Sequence, residues 1–409
     1  MRMYDLIIKK RDGGTHTKEE IEYIVDGFTK GCIPDYQMSA WLMSLYYKGM
    51  TKDETVWMTM AMADSGDRLD LSRIEGVKVD KHSTGGVGDK TTLVIAPIVA
   101  SCGVPVIKMS GRGLGYTGGT IDKLESIPGY RIDLSDDELI KQVHDIGIVV
   151  TGQTGDLVPM DKVIYALRDV TATVSSIPLI ASSIMSKKIA GGADKILIDI
   201  KVGDGALLGT KEEAKKLATI MKKIGKVYNR EVQCVVSDMN IPLGTSVGNS
   251  LEVLEAIDVL YGKEDNNNFV DLCIELATDM VSMGKEITRE EAGVLVRESL
   301  KSGAAYNKFL ELVKKQGGDL SRLKVSNKKC VIKSPNSGIV KKIDALEVGK
   351  LSLALGSGKV SIKDKIDYTV GVKLKKLVGD SVKKGDVLAE LYYNKKMPDF
   401  DVDKIFKIN

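Results

Sequence analysis

The sequence predicts an α/β protein: a helical lobe beside an α/β lobe with a central, mostly parallel sheet, then a small C-terminal β-rich domain. Three observations carry this. Residues 1–65 read as helix only; from residue 77 apolar strands, loops and helical stretches alternate; from about 322 the apolar period falls to two, with frequent glycine turns. At 409 residues the chain is too long for one ordinary domain, so two or three are expected.

The first part of the helical lobe is 1–65. Thr17 with Glu20 and Thr51 with Glu54 have capping-box spacing, and Gly31, Pro34 and Gly49 punctuate the segment. Trp57, Met58, Met60 and Met62 are read as helical core. The polar, turn-rich DSGDRLDLSRIEG (64–76) is a candidate hinge.

The α/β lobe with its glycine loops follows over 66–156. VKVDKHS leads to the helical TTLVIAPIVASCG, and VPVIKMS leads through a glycine loop to TIDKLES. Ser135 and Glu138 cap a helix that runs into the apolar GIVV (147–150). Residues 157–191 interrupt the alternation with VPMDKVIYALRDV and IPLIASSIMSKKIAGG, which are assigned to the helical lobe as its second part. The α/β lobe resumes over 192–321: the strand KILIDIKVG, a helix capped by Thr210 and Glu213, the strand EVQCVVSD, then helices to about 316. The chain is expected to cross between lobes near 66–78, 151–156 and 191–194, and a crevice between lobes is a favoured ligand position.

Residues 322–409 form the β-rich domain. Its GDSVKKGDVLAEL is similar to the hairpins of biotinyl/lipoyl-type carrier domains. Lys395 and Lys396 in YYNKKMPDF lack the tight-turn setting of a modified lysine, so a structural barrel is the reading taken.

Composition excludes several functions. Basic and acidic side chains, 59 against 56, leave a net charge of only +3, so no global field attracts nucleic acid. Aromatics at 5% also argue against a stacking platform for bases. Cys32, Cys102, Cys234, Cys273 and Cys330 are odd in number and lack CxxC spacing, so neither zinc nor a disulfide framework is indicated. The N-terminal apolar stretch is too short for a signal peptide and nothing reads as a bilayer span. A cytoplasmic protein with no membrane partner is expected.

The chemistry-bearing signal is a repeated one. Lys81 and Ser83 precede one glycine run; Lys108 and Ser110 precede another; each loop runs into a helix start. Two lysines, two hydroxyls and free helix N–H groups suit a small, doubly charged anion, and inorganic phosphate is the best candidate. KHSTGGVGDKTT has no GxxxxGK[ST], which excludes a nucleoside-triphosphate loop. The second loop contains G-x-G-x-x-G at Gly113, Gly115 and Gly118, with Asp133 at about the spacing of a ribose-binding acid. The Lys–Ser doublets, the first loop and Thr120 weigh against a dinucleotide, so no redox cofactor is expected. His16 and His144 are read as surface or satisfied residues, whereas His82, between Lys81 and Ser83, should face the anion. Asp161, Tyr165 and Arg168 share one helical face, and Ser183 and Lys187 another. From spacing alone these are equally a solvated charged face or a grip on a ligand with carbonyl oxygens.

SGRGLGYTGGTIDKLES (110–126) and KHSTGGVGDK (81–90) closely resemble signatures of the thymidine/pyrimidine-nucleoside phosphorylase family. The resemblance continues through YALRDVTATVSSIPLIASSIMSKK (165–188) and DIKVGDGA (199–206) and covers essentially the whole chain. It implies reversible phosphorolysis of uridine, thymidine and deoxyuridine to free base and α-D-(deoxy)ribose 1-phosphate. Phosphate falls to Lys81, Ser83, Thr92, Lys108, Ser110 and Thr120; the pyrimidine to Tyr165, Arg168, Ser183 and Lys187, with His82 near its 2-carbonyl. His82, Arg168 and Lys187 take the catalytic roles. The resemblance also implies a homodimer formed through the helical lobe, and a cation such as K⁺ in each subunit at Gly88, Lys90, Leu243, Ser246 and Glu255. Lys90 and Ser246 differ from the side chains of relatives, a change that backbone carbonyl ligands would survive. Tyr116 stands where relatives usually show histidine. Lys108 is the residue that enzymes accepting uridine as well as thymidine tend to carry, where thymidine-restricted ones carry methionine. The alternatives are a thymidine-restricted enzyme and, more remotely, one like anthranilate phosphoribosyltransferase.

Overall fold

The computed structural model describes residues 1–113, 116, 118–153, 157–263, 267–359 and 364–409. Four helices come first: α1 (Met3–Arg11), α2 (Lys18–Thr29), α3 (Asp35–Lys48) and α4 (Lys52–Ala63). The capping boxes that start α2 and α4 are closed on both sides, Thr17 with Glu20 and Thr51 with Glu54. Each such cap contributes about 1 kcal/mol to its helix. Met58 and Met62 lie buried on α4, while Trp57 and Met60 are half-buried.

The alternating region runs β1 (Val79–Ser83), α5 (Thr91–Ser101), β2 (Val106–Ser110), α6 (Thr120–Glu125), α7 (Asp136–Ile146) and β3 (Ile148–Gly152). Then come α8 (Pro159–Val170), α9 (Ile177–Ala190), β4 (Lys195–Val202), α10 (Lys211–Val227) and β5 (Glu231–Asp238). The short β6 (Ser246–Val247) precedes α11 (Asn249–Leu260), α12 (Asn268–Lys285), α13 (Arg289–Lys301) and α14 (Ala304–Lys315). The C-terminal part holds β7 (Lys329–Lys333), β8 (Gly338–Ile343), α15 (Ala345–Ser352), β9 (Gly371–Leu374), β10 (Ser381–Val382) and β11 (Val387–Tyr392), then α16 (Val402–Ile405) and β12 (Phe406–Ile408). The fold is the α/β class expected, with a helical N-terminal bundle, a parallel sheet in the core and a small C-terminal domain. β2 and β3 pair in parallel, Val106 opposite Ile148 through Ser110 opposite Gly152, and β1, β4 and β5 hydrogen-bond in the order β1-β4-β5. α5 is buried from Thr91 to Ala100, as a helix apolar all round must be; α12 and α14 pack against it.

The chain divides into two compact units. The first holds Met1–Arg73, Gln153–Ile198 and Thr210–Cys234; the second holds Ile74–Gly152, Asp199–Gly209 and Val235–Asn409. This differs from the sequence reading over the stretch that holds helix α10. Helix α10, read there as part of the α/β lobe, groups with the helices: its apolar stripe Ala214, Leu217, Met221 and Ile224 is buried, and it packs on α9 and α4. Its Lys223 also reaches Asp53 at 2.5 Å. The C-terminal β-rich part, meanwhile, belongs to the same unit as the glycine loops, because β6 pairs antiparallel with β9 as the edge of the sheet β6-β9-β11-β7. Among the described residues no helix is long and apolar enough to cross a membrane.

Candidate active site

The second unit carries the Lys–Ser corners. β1 and β2 are neighbours, and Lys108 on β2 lies 3.5 Å from Asp80 on β1. Period-two alternation puts Lys81 and Ser83 on one side of β1 and Lys108 and Ser110 on one side of β2. Lys81 is buried; its ammonium donates to Thr91 Oγ1 at 2.6 Å and lies 3.4 Å from Asp199. The Ser83 hydroxyl donates to Asp89 at 2.5 Å and accepts from the Gly85 N–H, so it shapes the glycine turn. Thr92 is the second residue of α5 and Ser110 the last of β2, both buried; Thr120 opens α6, half-buried. His82 is half-buried between Lys81 and Ser83.

Sequence reasoning missed the network beneath these residues. Asp199 and Lys201 alternate on β4 and share a side; Lys201 donates to Asp199 at 2.7 Å and to the Ser237 hydroxyl, which itself donates to Asp199. Asp89 accepts from Ser83 and Thr91. Burial pushes the Asp89 carboxyl up, but the Lys201 and Lys81 ammoniums and the two hydroxyls hold it well below its ordinary value. The available signal was an Asp-x-Lys pair inside the otherwise apolar KILIDIKV.

The second glycine loop is tied at its ends. Asp122 accepts from the N–H groups of Gly113 and Gly119, and Lys123 donates to the Gly118 carbonyl at 2.7 Å. Gly115 lies outside the described residues. Asp133, the candidate ribose acid, is exposed. Tyr116 is half-buried against Gly349, where an added Cβ would come within 3.2 Å of it.

The residues expected to hold a cation do come together, around a side chain. Lys90 Nζ donates to the carbonyls of Gly88 at 3.0 Å, Leu243 at 2.7 Å and Ser246 at 3.0 Å, and lies 2.9 Å from Glu255. Gly88 has φ 76° and a Cβ there would sit 2.7 Å from the Leu243 oxygen, so glycine is required. The three carbonyls converge, but it is the Lys90 ammonium that turns into their centre. A separate metal ion does not fit this set, because its oxygens already serve one cation.

The first unit carries a second cluster of candidate residues. Lys187 on α9 pairs with Asp161 on α8 and donates to Ser183 at 2.9 Å. Arg168 is almost completely buried and reaches back into the α8–α9 connection, donating to the carbonyls of Thr173, Val174 and Leu179. Its guanidinium lies 5.6 Å from the Tyr165 ring centroid. Among the described residues no carboxylate pairs with it, and burial, only partly opposed by Asp161, lowers its pKa to about 10. Tyr165, Arg168, Ser183 and Lys187 therefore form a local cluster, not a solvated charged face. His16 is a buried core residue: Trp41 donates to its Nε2 at 3.0 Å, while its Nδ1 lies 3.4 Å from Glu20 and makes no hydrogen bond among the described residues.

Three family models cover the chain in order. The helical bundle domain of a glycosyl transferase family matches residues 4–66 and its a/b domain residues 75–306, which defines the class as a glycosyltransferase. The pyrimidine nucleoside phosphorylase C-terminal domain matches residues 339–407. The pyrimidine-nucleoside phosphorylase of Geobacillus stearothermophilus is 51% identical over all of this chain and 95% of its own length, and that of Bacillus subtilis 50% identical over 99% and 95%. Anthranilate phosphoribosyltransferase from Thermus thermophilus is similar in fold, with TM-score 0.61 and 18% identity over 76% of this chain and 98% of its own. The chain belongs to the pyrimidine-nucleoside phosphorylase family. It is an enzyme of the glycosyltransferase type that cleaves pyrimidine nucleosides with phosphate as co-substrate.

Proposed function

We propose that the enzyme is a broad pyrimidine-nucleoside phosphorylase acting on uridine, thymidine and deoxyuridine. Phosphate is held by Lys81, Ser83, Thr92, Lys108, Ser110 and Thr120, the pyrimidine by Tyr165, Arg168, Ser183 and Lys187. A phosphate oxygen bonds to C1′ as the C1′–N bond breaks, and the bonding electron pair leaves with the base. The sugar becomes α-D-(deoxy)ribose 1-phosphate and the base takes up a proton. Arg168 and Lys187 stabilise the negative charge on the departing base, and His82 donates a hydrogen bond or proton at the 2-carbonyl. The observation that best supports this reading is the buried guanidinium of Arg168, which pairs with no carboxylate among the described residues, because such a charge is available to an anion that forms beside it.

The test is release of free base from uridine, thymidine, deoxyuridine and cytidine, with and without phosphate. Phosphate-dependent release from the first three is expected; activity confined to thymidine favours the restricted enzyme instead. Lys108→Met should shift the uridine/thymidine ratio of kcat/KM toward thymidine, on the order of tenfold, about 1.4 kcal/mol. An unchanged ratio removes Lys108 from the specificity argument.

We also propose a homodimer formed through the helical unit. Tyr36, Met43, Tyr46 and Tyr47 on α3 and Tyr4 on α1 are exposed apolar residues suited to such a contact. Light scattering of the purified chain decides between one copy and two. A cytoplasmic location is consistent with five free cysteines and small, phosphorylated metabolites.

A further inference from the structure

We infer that Lys90 is the protein's own cation: its ammonium takes the place of a bound metal ion in this chain, which needs no potassium to fold or to form its first glycine loop. An ammonium has three N–H donors, and all three find a carbonyl here, those of Gly88, Leu243 and Ser246 at 2.7–3.0 Å. The charge is met by Glu255 at 2.9 Å and by the face of Phe269, whose centroid lies 4.7 Å away. Glu255 is fixed in turn by the backbone N–H groups of Thr245 and Ser246 and by the Thr245 hydroxyl. The Lys90 side chain is fully buried, so no solvent competes for these acceptors.

A second cation cannot share this shell. Its oxygens are already engaged, and two like charges a few ångströms apart in a buried site repel strongly. The arrangement joins the turn before α5 to the segment 243–247 and to α11. Where a dissociable ion would make stability depend on its concentration, a tethered ammonium is present in every molecule. The inference goes beyond the catalytic reading and stands or falls without it.

The experiment is thermal unfolding of the full-length protein in potassium chloride and in choline chloride at matched ionic strength, over a series of salt concentrations. Wild type should give superimposable Tm curves in the two salts. A saturable rise in wild-type Tm with potassium alone overturns the inference, and this arm decides even if the variant fails to fold. Lys90→Thr removes the ammonium and leaves three buried carbonyls and a carboxylate without a cation. Its Tm should fall below wild type in choline chloride and recover saturably with potassium. A folded Lys90→Thr whose Tm ignores potassium overturns the claim that these oxygens form a cation site.

Discussion

In the second unit, Lys81, Lys90, Lys108 and Lys201 each lie beside a carboxylate, Asp199, Glu255, Asp80 and Asp199 respectively. In the first unit, Arg168 donates to three backbone carbonyls and, among the described residues, pairs with no carboxylate. The two arrangements do different things with a buried positive charge. A lysine paired with a carboxylate is largely neutralised; what it gains is position, and the glycine loops gain fixed anchor points. Carbonyl dipoles solvate the guanidinium and Asp161 only partly offsets its charge, so Arg168 stays less compensated than the paired lysines. The first arrangement presets the position of each lysine, the phosphate candidates Lys81 and Lys108 included; the second leaves its charge less compensated.

The largest effect that sharpens this contrast is expected at Asp199. It is fully buried and accepts from Lys201 and Ser237 with Lys81 close by. Asp199→Asn keeps the shape but removes the charge shared by two buried ammoniums. Breaking a buried ion pair in this way costs about 3–5 kcal/mol, which should appear as a clearly lowered urea midpoint. A midpoint within error of wild type means that these lysines are not held electrostatically, and the contrast dissolves.

The next largest effect tests the other half. Arg168→Ala should lower kcat/KM on uridine by a hundredfold or more, about 3 kcal/mol of barrier. Spacing alone suggests that this truncation leaves the fold intact. The structure adds a cost, because three buried carbonyls lose their donor. Arg168→Lys, which keeps charge but not the planar fork, separates the two losses. Lys187→Met should cost less than Arg168→Ala, since Asp161 already offsets the Lys187 charge. Equal losses, or near-wild-type activity of Arg168→Ala in folded protein, would remove Arg168 from its special position.

What was legible in the sequence were the features written in local chemistry. Four capping boxes, at Thr17, Thr51, Ser135 and Thr210, close as their spacing requires. The strands ending in Ser83 and Ser110 end there. The clustering of Tyr165, Arg168, Ser183 and Lys187 depends on two helices meeting, so spacing within each helix could only allow it. The Asp199–Lys201–Asp89 network joins residues far apart in sequence and was not foreseen. Lys90 shows the limit most clearly. Its identity is plain in the sequence, but the direction of its side chain is set by carbonyls of residues 243 and 246, which only tertiary folding delivers. The grouping of α10 with the helical unit is of the same kind: its stripe was readable, its partner was not.

The smallest effect concerns a buried base that carries no charge at all. His16 sits in the first unit beside the buried Lys10–Glu54 pair and accepts from Trp41. Burial first, and then repulsion from Lys10, push its pKa below the ordinary 6.5, with Glu20 and Glu54 opposing in part. A depressed folded-state pKa means that the unfolded chain takes up the proton more readily. Stability from neutral His16 is therefore fully present above pH 6.5 and is lost as pH falls through the lower folded-state value. Glu20 and Glu54 are themselves held below 4.5, so their contribution is lost only at still lower pH. His16→Gln keeps an acceptor for Trp41 but cannot titrate. Thermal unfolding of both proteins on either side of pH 6.5 should show a decline in wild type that the variant lacks. Parallel curves would mean that protonated His16 is tolerated in the fold, and that burial of charge in this unit is less costly than the Arg168 argument requires.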